Sequence, residues 1–582
     1  MKRKLFFFAA ILASVFVSCT PEETESPITH ANETITQPTT WLKSEGTHTV
    51  TGTTIVENTS LTIEPGTVIK FSEGAKLIVR GQNSSLTALG TTSLPIIFTS
   101  ASNAPAAGDW IGIELNGVLP TTTMTFCTVE FAGGNNSYGA VNISGCAVNM
   151  TSCTIRNSNS YGITVSTNTN YDSKFGTFTA NNISNCLNAP IRIHPNFVHT
   201  IGLANIITTA TGIEIPGGTY TQTDETWKLQ TVPYVITDDL TIANTSNTTL
   251  RIEAGSILKL ASGVSINVSS SGNYGSLIAQ GTELLPITFT SNSNSPQAGD
   301  WDYIIFKEGA TGCIFDHCIV EYGGANSSWG MIDLQKNAQL SVKNSTIRHA
   351  KHYNVEAEDQ TGFIAFENNT LTKANGHLMK IRAMNINSLG TANVYNTDTN
   401  SGIYVTGSSS NYNYIEQNAT WRAVNTAYFI EDPLIVRNNA ILTIEAGAIL
   451  KFMEGEIMQI GESDSYGKLI AQGTAQLPII FTSSSPAPQA GDWGGIRFTE
   501  NTLEGSILSN CKIGYAGSSS SYKGNIIVYY SAANNPVIEN CEIHNSKYFG
   551  IYLKKTSGNL GNPLLSGNTY YANVSGEIGQ DD

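Results

Sequence analysis

Leu61-Thr62-Ile63-Glu64-Pro65-Gly66-Thr67-Val68-Ile69-Lys70-Phe71 decides how this chain folds, because its pattern is met three times. Its first six residues return as Leu250-Arg251-Ile252-Glu253-Ala254-Gly255 and as Leu442-Thr443-Ile444-Glu445-Ala446-Gly447. Farther along, Pro95-Ile96-Ile97-Phe98-Thr99-Ser100 returns at Pro286 and Pro478, and Gly108-Asp109-Trp110 returns at Gly299 and Gly491. Cys127 returns as Cys318 and Cys511, and Thr40-Trp41 as Thr226-Trp227 and Thr420-Trp421. Several landmarks thus agree on a period of about 190 residues.

A finer period lies inside each copy. Tyr138-Gly139 is followed by Tyr161-Gly162, Trp329-Gly330 by Tyr353-Asn354, and Tyr522 by Tyr548, always after about 24 residues, which suits one coil of three short strands and three turns. About eight such coils fit in a copy. Within the strands, Val355 and Ala357 are expected to point inward and Glu356 and Glu358 outward; Met379 and Ile381 point inward, Lys380 and Arg382 outward. A string of separate β-sandwiches would also alternate in this way, but the like-on-like recurrence favours a continuous stack. The runs Leu61 to Phe71 and Pro95 to Ser100 resemble those of right-handed parallel β-helix surface proteins, which share the pectate-lyase-like fold, and the resemblance covers nearly everything from residue 40 onward. The expected fold is therefore all-β, a right-handed parallel β-helix of three tandem repeats over 40–225, 226–419 and 420–582.

The start of the chain reads as an address. Lys2, Arg3 and Lys4 precede the apolar run Leu5 to Val17, which is shorter than the ~18 residues of a spanning helix. Phe16-Val17-Ser18-Cys19 resembles the lipobox of bacterial lipoproteins. That resemblance implies a signal peptide over 1–18 and acylation of Cys19, with more than one acyl chain holding the protein to the bilayer. Acidic Glu22, Glu23 and Glu25 resemble the surface-export signal of Bacteroidetes lipoproteins, which implies an outer-membrane anchor facing the exterior. Residues 19–39, rich in Thr, Pro and Glu, read as a flexible tether.

Composition narrows the partners. Charged residues make up 13% and the formal net charge is -15, which argues against nucleic acid, whose binding needs clustered Lys and Arg. The eight remaining cysteines lack a C-x-x-C pair and accompanying histidines, so zinc is not expected. They read as small core residues, although a pair stacked on neighbouring coils is compatible with a disulfide. No cofactor or metal is expected; Ca²⁺ is compatible with the composition but has no specific site.

Three groups compete as sites. Asp109, Asp300 and Asp492, like Glu64, Glu253 and Glu445, recur in every copy and so read as turn residues capping backbone amides. Unique to copy two are His352, Glu356 and Glu358, with His377, Lys380 and Arg382 one coil on. The spacing makes His352 and His377, Glu356 and Lys380, and Glu358 and Arg382 lateral neighbours. That is chemistry for acid–base catalysis or for holding an acidic sugar, or else a set of cross-strand salt bridges. The third group is Tyr138, Tyr161, Trp329, Tyr353, Tyr522 and Tyr548, rings that either face sugar C–H groups or stack on the next coil. Comparison with polygalacturonase-like enzymes is mostly negative: Gly376-His377-Leu378 lacks the last Gly, Lys380-Ile381-Arg382 inverts the basic pair, and Asp238-Asp239 lies at a repeat junction with no catalytic partner on a face of the helix. The functional expectation is a membrane-anchored rod for binding or adhesion, to a polysaccharide or a surface protein. The alternatives are a polysaccharide lyase or glycoside hydrolase of the β-helix type, and a structural stalk.

Overall fold

The computed structural model describes residues 28–582 apart from 167, 169–171, 358–361, 373–376, 399, 408–411 and 532–534. The chain winds as an all-β, right-handed parallel solenoid. Each coil visits three faces in turn. Ile28–His30 opens the first, Thr34–Ile35 the second and Thr39–Trp41 the third, after which His48–Val50 stacks in parallel on Ile28–His30. Parallel pairing continues coil by coil into a sheet of 15 strands, one of 14, two of 8 and three of 6. An antiparallel hairpin, Lys555 against Leu560, interrupts it near the end.

Stacking in register puts like on like. Ile113, Val141, Ile163 and Ile191 are direct lateral neighbours, all fully buried, so each apolar side chain covers the one before it. The repeated Trp of Gly-Asp-Trp is fully buried at Trp110, Trp301 and Trp493, and its indole N–H donates to the Glu130, Glu321 and Gly514 carbonyls at 2.8, 2.9 and 2.8 Å. Phe71 and Phe452 lie flat on Trp110 and Trp493, with centroids 3.9 and 4.3 Å apart. All eight described cysteines are buried free thiols in this column.

The corners are sharp. At the corner that follows a strand of a six-stranded sheet one residue in the left-handed region turns the chain, as at Asn344, Asn368, Asn510 and Asn540 with φ of 51, 55, 50 and 51°. Asn reaches that conformation at the lowest cost after Gly, which is one reason the chain is rich in it. The next residue's amide is then held by the coil above: Cys153 N–H donates to Asn181 Oδ1, Asn181 to Asn205, and Asn369 to Asn393.

The large repeat does not hold a whole number of coils. The strand Ile96–Ser100 lies in the first eight-stranded sheet, its equivalent Ile287–Ser291 in the fifteen-stranded sheet, and Ile479–Ser483 in the fourteen-stranded sheet. Each copy is thus turned a third of the way round the rod relative to the one before, and a copy spans seven coils and a third rather than eight. At each junction a 3-10 turn, Pro195–Thr200 or Ala383–Ser388, stands where a strand is expected.

Candidate functional site

The two junctions build the same cleft twice. In the first, the fifteen-stranded sheet runs Tyr161–Val165, Ile191–Arg192, Ile213–Ile215, Tyr234–Ile236, Ile257–Leu260. In the second, the fourteen-stranded sheet runs Tyr353–Ala357, His377–Arg382, Ile403–Thr406, Tyr428–Ile430, Ile449–Phe452. Short loops before Ile213 and Ile403, and the loops after Trp227 and Trp421, leave hollows of about 520 and 430 Å³ on the outer faces. That is the size range of ligand pockets in general. Thr211, Pro233 and Lys259 line the first at the places held by Ser401, Ala427 and Lys451 in the second. The two clefts lie on successive faces of the rod, a third of a turn apart.

The first cleft has Tyr161 as a wall, with the Arg192 guanidinium carbon 5.8 Å from the ring centroid. Arg192 is neutralised by Glu214 at 2.8 Å. Burial, and then the Glu214 charge, hold the Tyr161 phenol above its usual range. The amides of Asn188, Asn292 and Asn294 and the hydroxyls of Thr211 and Thr237 supply the remaining polarity. Beside it, Tyr138, 45% exposed, and Arg192 line a smaller hollow of about 280 Å³.

The copy-two residues flank the second cleft. Glu356 and Lys380 are direct lateral partners, with Nζ 2.9 Å from Oε1. Yet Glu356 is only 1% exposed, although it points to the outer face. Buried Asp333 lies beside it in the preceding strand and Lys380 in the next, so the carboxylate is enclosed in a row rather than offered to solvent. His352 is not the lateral partner of His377; Tyr353 is, its ring centroid 5.6 Å away. His352 sits one residue earlier, in the bend before the strand. The lateral register here is 24 residues throughout, Tyr353 on His377 and Glu356 on Lys380, whereas His352 and His377 are 25 apart and so fall one residue out of register. His377 lies 3.9 Å from the Tyr404 ring and its Nδ1 is 3.4 Å from Ser401 Oγ. Tyr404 stacks on Phe429 at 5.1 Å, and Lys451 Nζ stands 5.1 Å from the Phe429 centroid. Arg382 pairs with Thr406 one coil on. Glu358 lies outside the described residues, as does Cys19.

Burial sets the charges here. It raises the Glu431 carboxyl, against the pull of Lys380, and pushes the Tyr353 and Tyr404 phenols up to about 12, in both cases with Glu431 as the second cause. It lowers the Lys451 ammonium. Farther along, burial and the neighbouring Asp432 raise Glu456 to about 7.

The six candidate rings do not form one row. Tyr138 and Tyr161 flank strands of the fifteen-stranded sheet, Trp329 and Tyr353 of the fourteen-stranded sheet, and Tyr522 and Tyr548 of the last eight-stranded sheet, on three faces of the rod. Trp329 meets Tyr303 edge-on at 4.9 Å. Tyr522 and Tyr548 are half-buried.

The repeated acids cap turns. Asp109, Asp300 and Asp492 each accept from a serine hydroxyl at 2.6 Å and from the amide of residue 106, 297 or 489. Glu64, Glu253 and Glu445 accept the amides of Lys43, Leu229 and Ala423.

Sequence reasoning missed the clefts. Lys259 and Lys451 belong to the repeated strand that also contains Lys70, and nothing in the strand pattern singles them out. The signal lay at the junctions themselves, where the strand rhythm falters over 195–200 and 383–388. Among the described residues no group of three or more His, Cys, Asp or Glu is placed to hold a metal ion, and no helix is long and apolar enough to cross a membrane.

No curated protein matches the chain. A family model described as a pectate-lyase-like beta helix domain matches residues 33–175 and 413–526, which leaves most of the first cleft outside the matched stretches. Over those two stretches the chain is similar to that family, and the likeness bears on its fold.

Proposed function

We propose that this protein is a lipid-anchored rod on the outer face of a bacterial outer membrane, and that its junction clefts bind a glycan. The observation that carries the reading is the cleft made twice: a lysine with hydroxyl and amide groups around a small apolar floor, walled in the first cleft by the Tyr161 ring. Such a set matches the alternating C–H faces and hydroxyls of a sugar. The carboxylates Glu214 and Glu356 are tied to Arg192 and Lys380, which suits holding a ligand better than moving protons. Anchoring through Cys19 would set the clefts at a distance from the bilayer. The reading is tested by calorimetric titration of the full mature chain with soluble glycans of plant, host and microbial origin. Binding that weakens about tenfold or more in Tyr161→Ala supports it, since aromatic contacts are worth roughly 0.5–1.5 kcal/mol beyond area; a blank panel overturns it.

A second reading is a β-helix polysaccharide lyase or hydrolase acting at the copy-two cluster. The raised carboxyl of Glu431 beside Lys380 favours it. It predicts unsaturated products or new reducing ends, and an unchanged rate in Glu431→Gln removes it.

A further inference from the structure

The two clefts differ in position more than in build. The step from Ile213–Ile215 to Ile403–Thr406 is seven coils and a third, or about 35 Å along the axis at the ~4.8 Å strand spacing. It also carries the cleft from the fifteen-stranded sheet to the fourteen-stranded one, the next face of the rod. A stiff chain lying along the rod in one cleft therefore misses the other. The chemistry of the walls is close to neutral. Arg192 is answered by Glu214 at the first cleft, Lys380 by Glu356 at the second, and Asp398 lines the second together with Lys451. The remaining polar groups are amides and hydroxyls. The chain as a whole carries a formal charge of -15, which repels polyanions at long range.

We infer that the rod is a bivalent cross-linker of uncharged polysaccharide, taking one chain in each junction cleft and holding the two a third of a turn apart. This rests on the glycan reading and adds to it a stoichiometry, a charge class and a consequence. Thr211 and Ser401, Pro233 and Ala427, and Lys259 and Lys451 give each cleft the same three contacts, so the two sites bind the same kind of sugar unit. The lysine donates to hydroxyl or ring oxygens. Because no polyanion is neutralised, affinity has little dependence on salt.

The test is titration of the full chain with neutral oligosaccharides (gluco-, manno- and xylo-series), and with oligogalacturonate and oligoguluronate as charged comparators. The expected result is two sites per chain for a neutral series, with affinity changing less than about twofold between 50 and 500 mM salt. Ala210→Trp fills the first cleft and Val424→Trp the second, so each single variant binds one equivalent and the double variant none. With the parent polysaccharide, the unaltered protein raises light scattering through cross-linking and either single variant does not. Circular dichroism checks that the variants fold, and Lys259→Ala and Lys451→Ala, which remove only a side-chain end, each weaken one of two sites if the Trp variants fail. One site per chain for a neutral sugar overturns bivalence and leaves the glycan reading standing. Binding confined to the charged comparators, or falling steeply with salt, overturns the uncharged class. No binding by any series overturns both.

Discussion

Glu356 shows how far one residue's surroundings can depart from its parity in a strand. Alternation places it on the outer face, and it does point there, but Asp333 and Lys380 on either side enclose it. Lys380 Nζ, 2.9 Å away, offsets part of the cost of burying this carboxylate. Removing one member of the pair takes that compensation from the other, so Lys380→Ala is expected to destabilise the rod by about 3 kcal/mol, whereas Glu356→Leu with Lys380→Met together restores most of the loss. Equilibrium urea unfolding of the three proteins measures this. A Lys380→Ala variant of unchanged stability would mean that the pair is not structural and would make Glu356 a candidate reacting group again. A smaller effect of opposite sign belongs to the corners. Ser152 occupies the left-handed region, with φ of 55°, at a place equivalent to those where Asn344, Asn510 and Asn540 stand. Ser152→Asn relieves a conformation that costs other residues about 1 kcal/mol and should stabilise by that order, read as a higher urea midpoint at constant slope.

Among the elements, the opening coil carries a device that no period announces. His30 and Trp41 stack at 4.4 Å, and His48 lies on Trp41 at 5.2 Å, so three rings from three strands or their flanks cover the first layer of core. His48 Nε2 faces the Leu42 carbonyl at 3.1 Å, and must carry its proton there. Its Nδ1 is then left to accept from His30 Nε2 at 3.0 Å, while His30 Nδ1 meets Glu33 at 2.6 Å. Burial first, and then the neighbouring His30, hold His48 below its usual 6.5, against Leu42 and Glu45. A histidine whose folded value is depressed adds stability that is complete above the unfolded value near 6.5 and is lost as pH falls below it. Protonated His48 would turn an N–H toward the N–H of His30. Amide exchange of residues 28–50, corrected for the intrinsic rate, should therefore accelerate between pH 7 and 5 more than that of the Trp301 region, and His48→Gln should flatten the difference. Equal acceleration in both regions removes the device. Elements of this kind were illegible beforehand for a plain reason. Repetition identified strands, turn acids and core columns, because each copy checks the others; His30, His48, and the 3-10 turns over 195–200 and 383–388 occur where the copies begin or meet and have nothing to be checked against.

Across the whole molecule, the third of a turn per copy governs what the three repeats can do together. The landmarks that recur along the sequence, from Leu61 to Leu442 and from Trp110 to Trp493, made the rod legible, but their spacing says nothing of direction. Direction follows from the count of strands in a copy, which a 3-10 turn at each junction brings to seven coils and a third. Features equivalent in sequence are therefore fanned round the axis, and a patch that looks like a row in an alignment of the copies is three patches on three faces. The same geometry makes the repeat removable. Joining Gly255 directly to Ala448 deletes 256–447 between two equivalent turns, Glu253-Ala254-Gly255 and Glu445-Ala446-Gly447. The strand Ile449–Phe452 then follows Thr249–Ile252 as Ile257–Leu260 did, and Phe452 takes the core place of Leu260. The coil count falls by seven and a third, and everything beyond the joint turns by a third of a turn, so no strand is left on the wrong face. The shortened chain should fold, with a maximum dimension in solution scattering smaller by about 35 Å. Its single remaining cleft is a composite: Tyr161, Thr211 and Pro233 from the first junction and Lys451 in the place of Lys259. If the two clefts are the same site made twice, this composite binds one equivalent of the glycan that the full chain binds twice; a folded, shortened rod that binds none would show that Lys259 and Lys451 are not interchangeable and that the clefts are separate inventions.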